Sequence, residues 1–425
     1  MDKKWKLKVI TSALIFLFAL AVAPMSIHAE KKVSLVTVGM FDLTGPYSGL
    51  LSLSARGFND FVEWANNHPG YLPDNVKWVN ETYDTGLDIG KAVAAYQMAT
   101  SKDPIPIITT GGLAAPTILA IKPLAKRKKI PCIDGSSARP IVYPPAWTFS
   151  MQACYEGMLA ASARFLKDNW RPDTPYKRIR DRYDKNRNPR ISVMGWDNAF
   201  GRGFDQKETR DYIKSIGVDW VTPEYIPLNP TDTTPQILRL VKAGVDMIYF
   251  GMYSESHAFI LKDAARVGVR DKFQDMGFWA DNLIQLKSYV GELADGAMQL
   301  TGYQMDMSEW NPHTKALLEK SGLGENAALS YSGAFAWCDV YGECIRRAVK
   351  KVGAENVTGQ VIYDVITNLT DYQPMAYNSL VTFSEKRMAG PSSASIYQIQ
   401  DGKIVKIVKS TYVPDLLPDG KDVVR

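Results

Sequence analysis

ISVMGWDNAFGRGFDQKETRDYIKSIGVDW, residues 191–220, opens a run to residue 277 in which short apolar segments alternate with longer amphipathic ones. Residues 191–196 are apolar and brief, as a strand buried on both faces should be. Residues 197–203 form a polar turn containing Gly201 and Gly203, and residues 206–216 predict a helix stopped by Gly217. The pattern repeats with a strand at 218–226, then a helix with Pro235 in its first turn that ends before Gly244. A strand at 245–250, a helix at 256–267 backed by Gly268, and a strand at 273–278 complete it. Strands that alternate with helices build a parallel sheet covered on both faces. In such sheets ligands sit in the loops beyond the strand C-termini.

Upstream the same alternation predicts a second α/β unit. Strands are expected at 31–40, 75–83, 106–110 and 130–133, and helices at 51–66 and 89–99 and from Pro116 through Leu124. The segment FSMQ (149–152) reads as a strand passing to the other unit, and 155–166 as a helix. Residues 167–190 are dense in mixed charge and nearly free of apolar periodicity, which predicts an exposed, solvated insertion. Downstream come 281–290, a strand at 297–302, a long helix at 331–349, and alternating segments 395–400 and 403–408 around Asp401-Gly402, a hairpin signature. A chain of 425 residues is long enough for two lobes.

Composition narrows the function. Apolar residues make up 46% and charged ones 22%, which marks a globular chain. The net charge is +5, of which Lys3, Lys4, Lys6 and Lys8 against Asp2 carry +3, so the remainder is near neutral. With no sustained basic patch interleaved with aromatics, nucleic acid is not an expected partner. The four lysines, the apolar run 9–23 and the small Ala29 read as an export leader cleaved after residue 29. Cysteines stand at 132, 154, 338 and 344; an exported chain permits disulfides, buried free thiols are the alternative, and neither pair carries the ligands of a zinc cluster. The histidines are scattered, with His257 expected to face solvent at a helix start. Nucleophile elbow, phosphate loop and zinc-protease motifs are missing, and Gly201 and Gly203 give only half of a dinucleotide motif. No cofactor and no metal are expected; an enzyme whose catalytic groups converge from distant loops stays open on motifs alone, and it is the resemblance described next that implies none.

Five segments then carry a resemblance. TGPYSG (44–49), IPCIDGSSARP (130–140), AFG (199–201, where Ala-Tyr-Gly is usual), NPTDTTP (229–235) and YFGMYSES (249–256) follow one another as in type I periplasmic solute-binding proteins of the branched-chain amino acid transporter family. The resemblance implies two Rossmann-like lobes joined by three crossovers, with residues 30–152 and 281–368 in lobe 1 and 153–280 and 369–425 in lobe 2. It also implies a periplasmic, monomeric component of an ABC importer. Such a protein captures a small carboxylate-containing ligand such as an amino acid by cleft closure and is read by membrane permease subunits. A ligand-sensing receptor domain of the same fold is the alternative.

The resemblance and the loop chemistry together nominate the site. Gly112, Leu113, Ser136, Ser137 and Ala138 supply backbone and hydroxyl donors for a carboxylate. Arg139 is a candidate for a second acidic group. In amino acid binders an acid near the start of a second-lobe helix holds the ammonium; Ser256 falls at that point and Glu255 one residue earlier, with Asp197 or Asp281 as substitutes. Tyr47, Tyr155, Phe200, Tyr253 and Trp279 are expected to line the cleft, which suits a branched aliphatic amino acid, an aromatic acid or a small amide.

Overall fold

The computed structural model describes residues 32–416, so the leader expected over residues 1–29 lies outside the described residues. Five parallel strands form the first sheet: β1 (Val33–Phe41), β2 (Val76–Asp84), β3 (Ile108–Thr110), β4 (Cys132–Asp134) and β5 (Thr148–Ser150), in the order β2-β1-β3-β4-β5. Residues 35–41 of β1 are all buried, because helices cover both faces of the sheet. The strand order reverses between β1 and β3, so the loops leaving these two strands open a crevice at the sheet edge.

The second sheet holds β6 (Arg190–Trp196), β7 (Asp219–Trp220), β8 (Glu224–Ile226), β9 (Met247–Gly251), β10 (Gln274–Gly277), β11 (Met298–Thr301), β12 (Ser393–Gln400) and β13 (Lys403–Tyr412). Its order is β13-β12-β11-β10-β9-β6-β7, with β8 also paired to β6. Pairing is parallel as far as β11, and the hairpin β12–β13 adds two antiparallel strands. Asp401 (φ 50°) and Gly402 (φ 71°) make the turn, as the Asp-Gly pair predicts.

Four expectations are corrected. The strand expected at 218–226 is two short pieces, because Pro223 lacks an N–H for the ladder and the Ser192 hydroxyl draws off the carbonyls of Val221 (3.0 Å) and Thr222 (3.2 Å). The return to lobe 1 expected at residue 281 comes later, since β11 pairs with both β10 and β12 in the second sheet. The last crossing, expected at 369, also comes later: Ala389 still bridges Ser150 of β5. The insertion is exposed over much of its length, as expected, but it is anchored. Its helix Lys177–Arg180 buries Ile179, and Arg182 and Arg187 close on the wholly buried Asp246 with contacts of 2.6, 2.6 and 2.9 Å. The backbone N–H of Arg190 adds a fourth bond to that carboxylate at 2.8 Å. Opposite charges at long sequence separation are here fixed in ion pairs, which composition reads as solvation.

The helix Glu325–Val352 runs against the helix Ser48–Asn67. A Cβ on Gly57 would sit 2.1 Å from the Tyr331 carbonyl oxygen, so only glycine allows this approach. The Ser54 hydroxyl bonds the Ser330 carbonyl at 3.0 Å across the same seam. Phe58, Phe61, Trp78 and Tyr341 fill the space beneath with edge-on ring contacts of 5.4–6.3 Å. This packing fixes the first turns of both helices at the mouth of the first lobe.

Candidate functional site

The loop after β1 is shaped by Asp42, whose buried carboxylate accepts from the backbone N–H groups of Gly45 (2.5 Å) and Tyr47 (2.8 Å). It delivers Tyr47 to the second lobe. The Tyr47 ring stacks on Trp196 (centroids 6.2 Å apart, planes at 10°) and lies 5.4 Å from Tyr253. Trp196 ends β6, and its indole N–H donates to Ser256 Oγ at 2.9 Å. Phe200, on the polar turn, contacts Trp196, Tyr253, Tyr155 and Phe278 at 5.1–5.9 Å. One aromatic cluster thus spans both lobes, each ring pair contributing about 0.5–1.5 kcal/mol.

Two recesses border the cluster. The larger, about 490 Å³, is lined by Tyr47, Leu50, Trp196, Asn229, Tyr253 and Glu255 among others. The smaller, about 30 Å³, lies between Leu50, Leu113, Trp279, Asn282, Tyr303 and Trp337. Leu50 borders both. The indole N–H of Trp279 and the amide nitrogen of Asn282 are buried without a hydrogen-bond partner.

The loops expected to grip a carboxylate are tightly built. Gly112 has φ 62°, and a Cβ there would meet the Met40 carbonyl oxygen at 2.4 Å. Leu113 also takes positive φ (66°), an uncommon conformation for a residue with a side chain. Between these loops stands the fully buried Asp134. Its carboxyl accepts from Ser136 N–H (2.8 Å), Leu113 N–H (3.3 Å) and Thr110 Oγ1 (2.6 Å). Burial pushes its pKa up, against the pull of these donors. Ser136 Oγ meets the Tyr155 hydroxyl at 3.1 Å, Ser137 Oγ is buried and unpartnered, and Ala138 precedes the short helix Arg139–Val142.

The candidates for an ammonium partner are placed differently from one another. Glu255 is exposed, lines the larger recess, and accepts from the Tyr289 hydroxyl at 3.1 Å. Ser256 is occupied by Trp196. Asp197 is exposed and paired with Arg202 at 2.7 Å. Asp281 is buried, 2.6 Å from His257 Nδ1. His257 does not face solvent: it lies on the inner side of the helix Ser254–Arg266, stacked on Phe250, with Asp275 3.2 Å from its Nε2. Burial would depress this imidazole, but the carboxylates, Asp281 foremost, hold it up at about 9. Arg139 is not a free ligand contact either, since it pairs at 3.0 Å with Glu156, whose carboxyl burial pushes up to about 7.

The structure therefore brings Tyr47, Tyr155, Phe200 and Tyr253 into one cluster, sets Leu113 and Trp279 on the smaller cavity, and leaves Glu255 at the rim of the larger. Sequence reasoning missed Trp196, Asn282, Leu50, Trp337 and the role of Asp134. Trp196 carried a usable signal, an aromatic residue at the C-terminal end of a strand. The residues from the helix Glu325–Val352 carried none, because their place depends on packing against a helix some 270 residues earlier.

Comparison with known proteins agrees with this geometry. A family profile described as periplasmic binding protein matches residues 36–403. A Leu/Ile/Val-binding protein of Citrobacter freundii is 26% identical over 149 residues, 35% of this chain and 38% of that protein. The alignment thus spans well under half the length of the curated relatives it matches. A branched chain amino acid ABC transporter structure from Thermus thermophilus with bound valine superposes with TM-score 0.77 at 20% identity, over 90% of this chain and 97% of that one. A fatty acid ABC transporter substrate-binding protein from Thermomonospora curvata gives TM-score 0.70 at 16% identity, over 92% and 96%. At these identities the structures show a shared fold.

Proposed function

From the premise that this chain belongs to the periplasmic binding protein family, whose members are binding proteins and not enzymes, we propose that it captures a small solute between its lobes and presents the closed form to the membrane permease subunits of an ABC importer. In this reading the protein is exported by its leader and acts as a monomer. The observation that carries it is the aromatic cluster in which Tyr47 of the first lobe stacks on Trp196 of the second. Those contacts exist only when the lobes are together, so a solute buried beside them favours the closed state. The crossings after residues 150, 301 and 391 would serve as the hinge. An amino acid is the solute suggested by the names of the relatives, and an aromatic acid or small amide the one suggested by the lining.

Small-angle scattering of the mature chain, with and without the solute released from purified protein by denaturation and identified by mass, tests the proposal. A more compact bound state is expected. Tight stoichiometric binding with an unchanged envelope would overturn closure, and a protein that neither carries nor rebinds a small solute would overturn capture.

A further inference from the structure

The geometry points to a neutral solute that presents an amide or other uncharged carbonyl, in preference to a zwitterionic amino acid, as the occupant of the cleft; this rests on reading the cleft as a solute site. Three observations carry it. Of the donors expected to hold a ligand carboxylate at the first lobe, the backbone N–H groups of Leu113 and Ser136 already serve Asp134, at 3.3 and 2.8 Å. A second carboxyl there would compete for the same donors and stand beside a buried acid with no cation among its bonded partners, an arrangement that disfavours two negative charges.

A ligand ammonium fares no better. Of the acids near the second-lobe loops, Asp281 is held by His257 and Asp197 by Arg202, while Glu255 is exposed and bonded by Tyr289. Asp281 Oδ1 is buried without a partner, but His257 already meets that carboxylate's charge through Oδ2, and Asp197 and Glu255 are exposed, so an ammonium brought into the aromatic cluster would find no uncommitted buried charge.

The unpartnered side-chain groups that line the smaller cavity are donors. Trp279 Nε1 and Asn282 Nδ2 are both buried, at 6% and 3% exposure, both unpartnered, and both line the smaller cavity. Asn282 is oriented by its other end: its oxygen caps the next helix by accepting from Ile284 N–H at 2.9 Å, which leaves the NH2 group uncommitted. Two donors at one cavity call for an acceptor, a carbonyl oxygen has two lone pairs to meet them, and the buried Asp134 on the neighbouring loop disfavours a second negative charge. Ser137 Oγ, also buried and unpartnered, stands on the loop that packs on Leu113 and can donate or accept, which suits an amide NH2 group as well. The aromatic rings supply surface for an apolar body.

Calorimetry on the mature chain with phenylacetamide, phenylacetate, L-phenylalanine and L-leucine tests this. Phenylacetamide should bind about tenfold or more tightly than any of the charged probes, since each unpaired buried group costs roughly that much. Trp279→Phe, which removes the N–H and keeps a ring, should weaken phenylacetamide about tenfold while thermal unfolding stays near wild type. Tighter binding of leucine or phenylalanine, or an unchanged amide affinity in Trp279→Phe, would overturn the inference and leave solute capture standing. Mass spectrometry of any solute released by denaturation reads the question without a chosen probe: a neutral carbonyl compound supports the inference and a zwitterion or carboxylate overturns it. A protein that releases nothing and binds none of the four probes overturns both this inference and the proposed function.

Discussion

Replacing Tyr47 with alanine should shift the balance between open and closed forms. The ring makes two contacts across the lobes, stacked on Trp196 at 6.2 Å and tilted against Tyr253 at 5.4 Å. At about 0.5–1.5 kcal/mol per pair the two together contribute roughly 1–3 kcal/mol to closure. Because every 1.4 kcal/mol is tenfold, the closed-to-open ratio should fall about 5- to 150-fold. The ring is only partly buried, which favours the lower part of that range. Where the open form predominates without solute and binding requires the closed one, solute affinity should fall by the same factor. Tyr47→Phe keeps both ring contacts and should behave like the wild type. A pair of dyes, one on each lobe, would report the populations by energy transfer, with calorimetry for affinity. If Tyr47→Ala closes and binds like the parent, or if Tyr47→Phe fails as badly as the alanine variant, ring stacking is not what draws the lobes together.

Asp246→Ala should destabilise the second lobe by about 3–5 kcal/mol in urea unfolding, because it strands Arg182 and Arg187 against a buried site. Tryptic cleavage near Lys185 should accelerate, and an unchanged cleavage rate would contradict the clamp. His257, with a folded-state pKa raised from 6.5 to about 9, contributes stability that is complete below pH 6.5 and lost as pH rises toward 9. The urea midpoint should therefore decline over that window, and His257→Asn, though less stable, should lose the decline. The four cysteines are buried and free, and burial pushes their thiols up, that of Cys344 to about 12. A thiol reagent should find none accessible in the folded protein and four after denaturation; a pair that stays unreactive without reductant would mean a disulfide.

Local features of the sequence were legible. The alternation from 191 to 277 marked β6 and β9 because buried parallel strands are continuous apolar runs, marked β10 by its place after a glycine-stopped helix, and Asp401-Gly402 marked the hairpin because few residue pairs take positive φ twice. The cleft aromatics were legible from their loops, since the strand order places those loops together. Illegible were the features made by distant pairs. Arg182 and Arg187 find Asp246 about 60 residues away, and His257 finds its carboxylates 18 and 24 residues downstream. Asp134 reads in sequence as a loop acid; only its burial shows that it takes the amides a ligand was expected to use. The crossings to and from lobe 1 were misjudged because a strand does not declare which sheet it joins.

The rims of the second sheet bear on how the protein survives at high concentration. Its outermost strand on one side, β13, places Lys403, Lys406 and Lys409 along the rim, with Lys403 and Lys409 exposed. On the other side the edge is broken by Pro223 into pieces of two and three residues. An unfolded neighbour seeking a template would meet exposed cations at Lys403 and Lys409 on the first rim and an interrupted ladder on the second, both of which oppose the strand-on-strand growth that leads to aggregates.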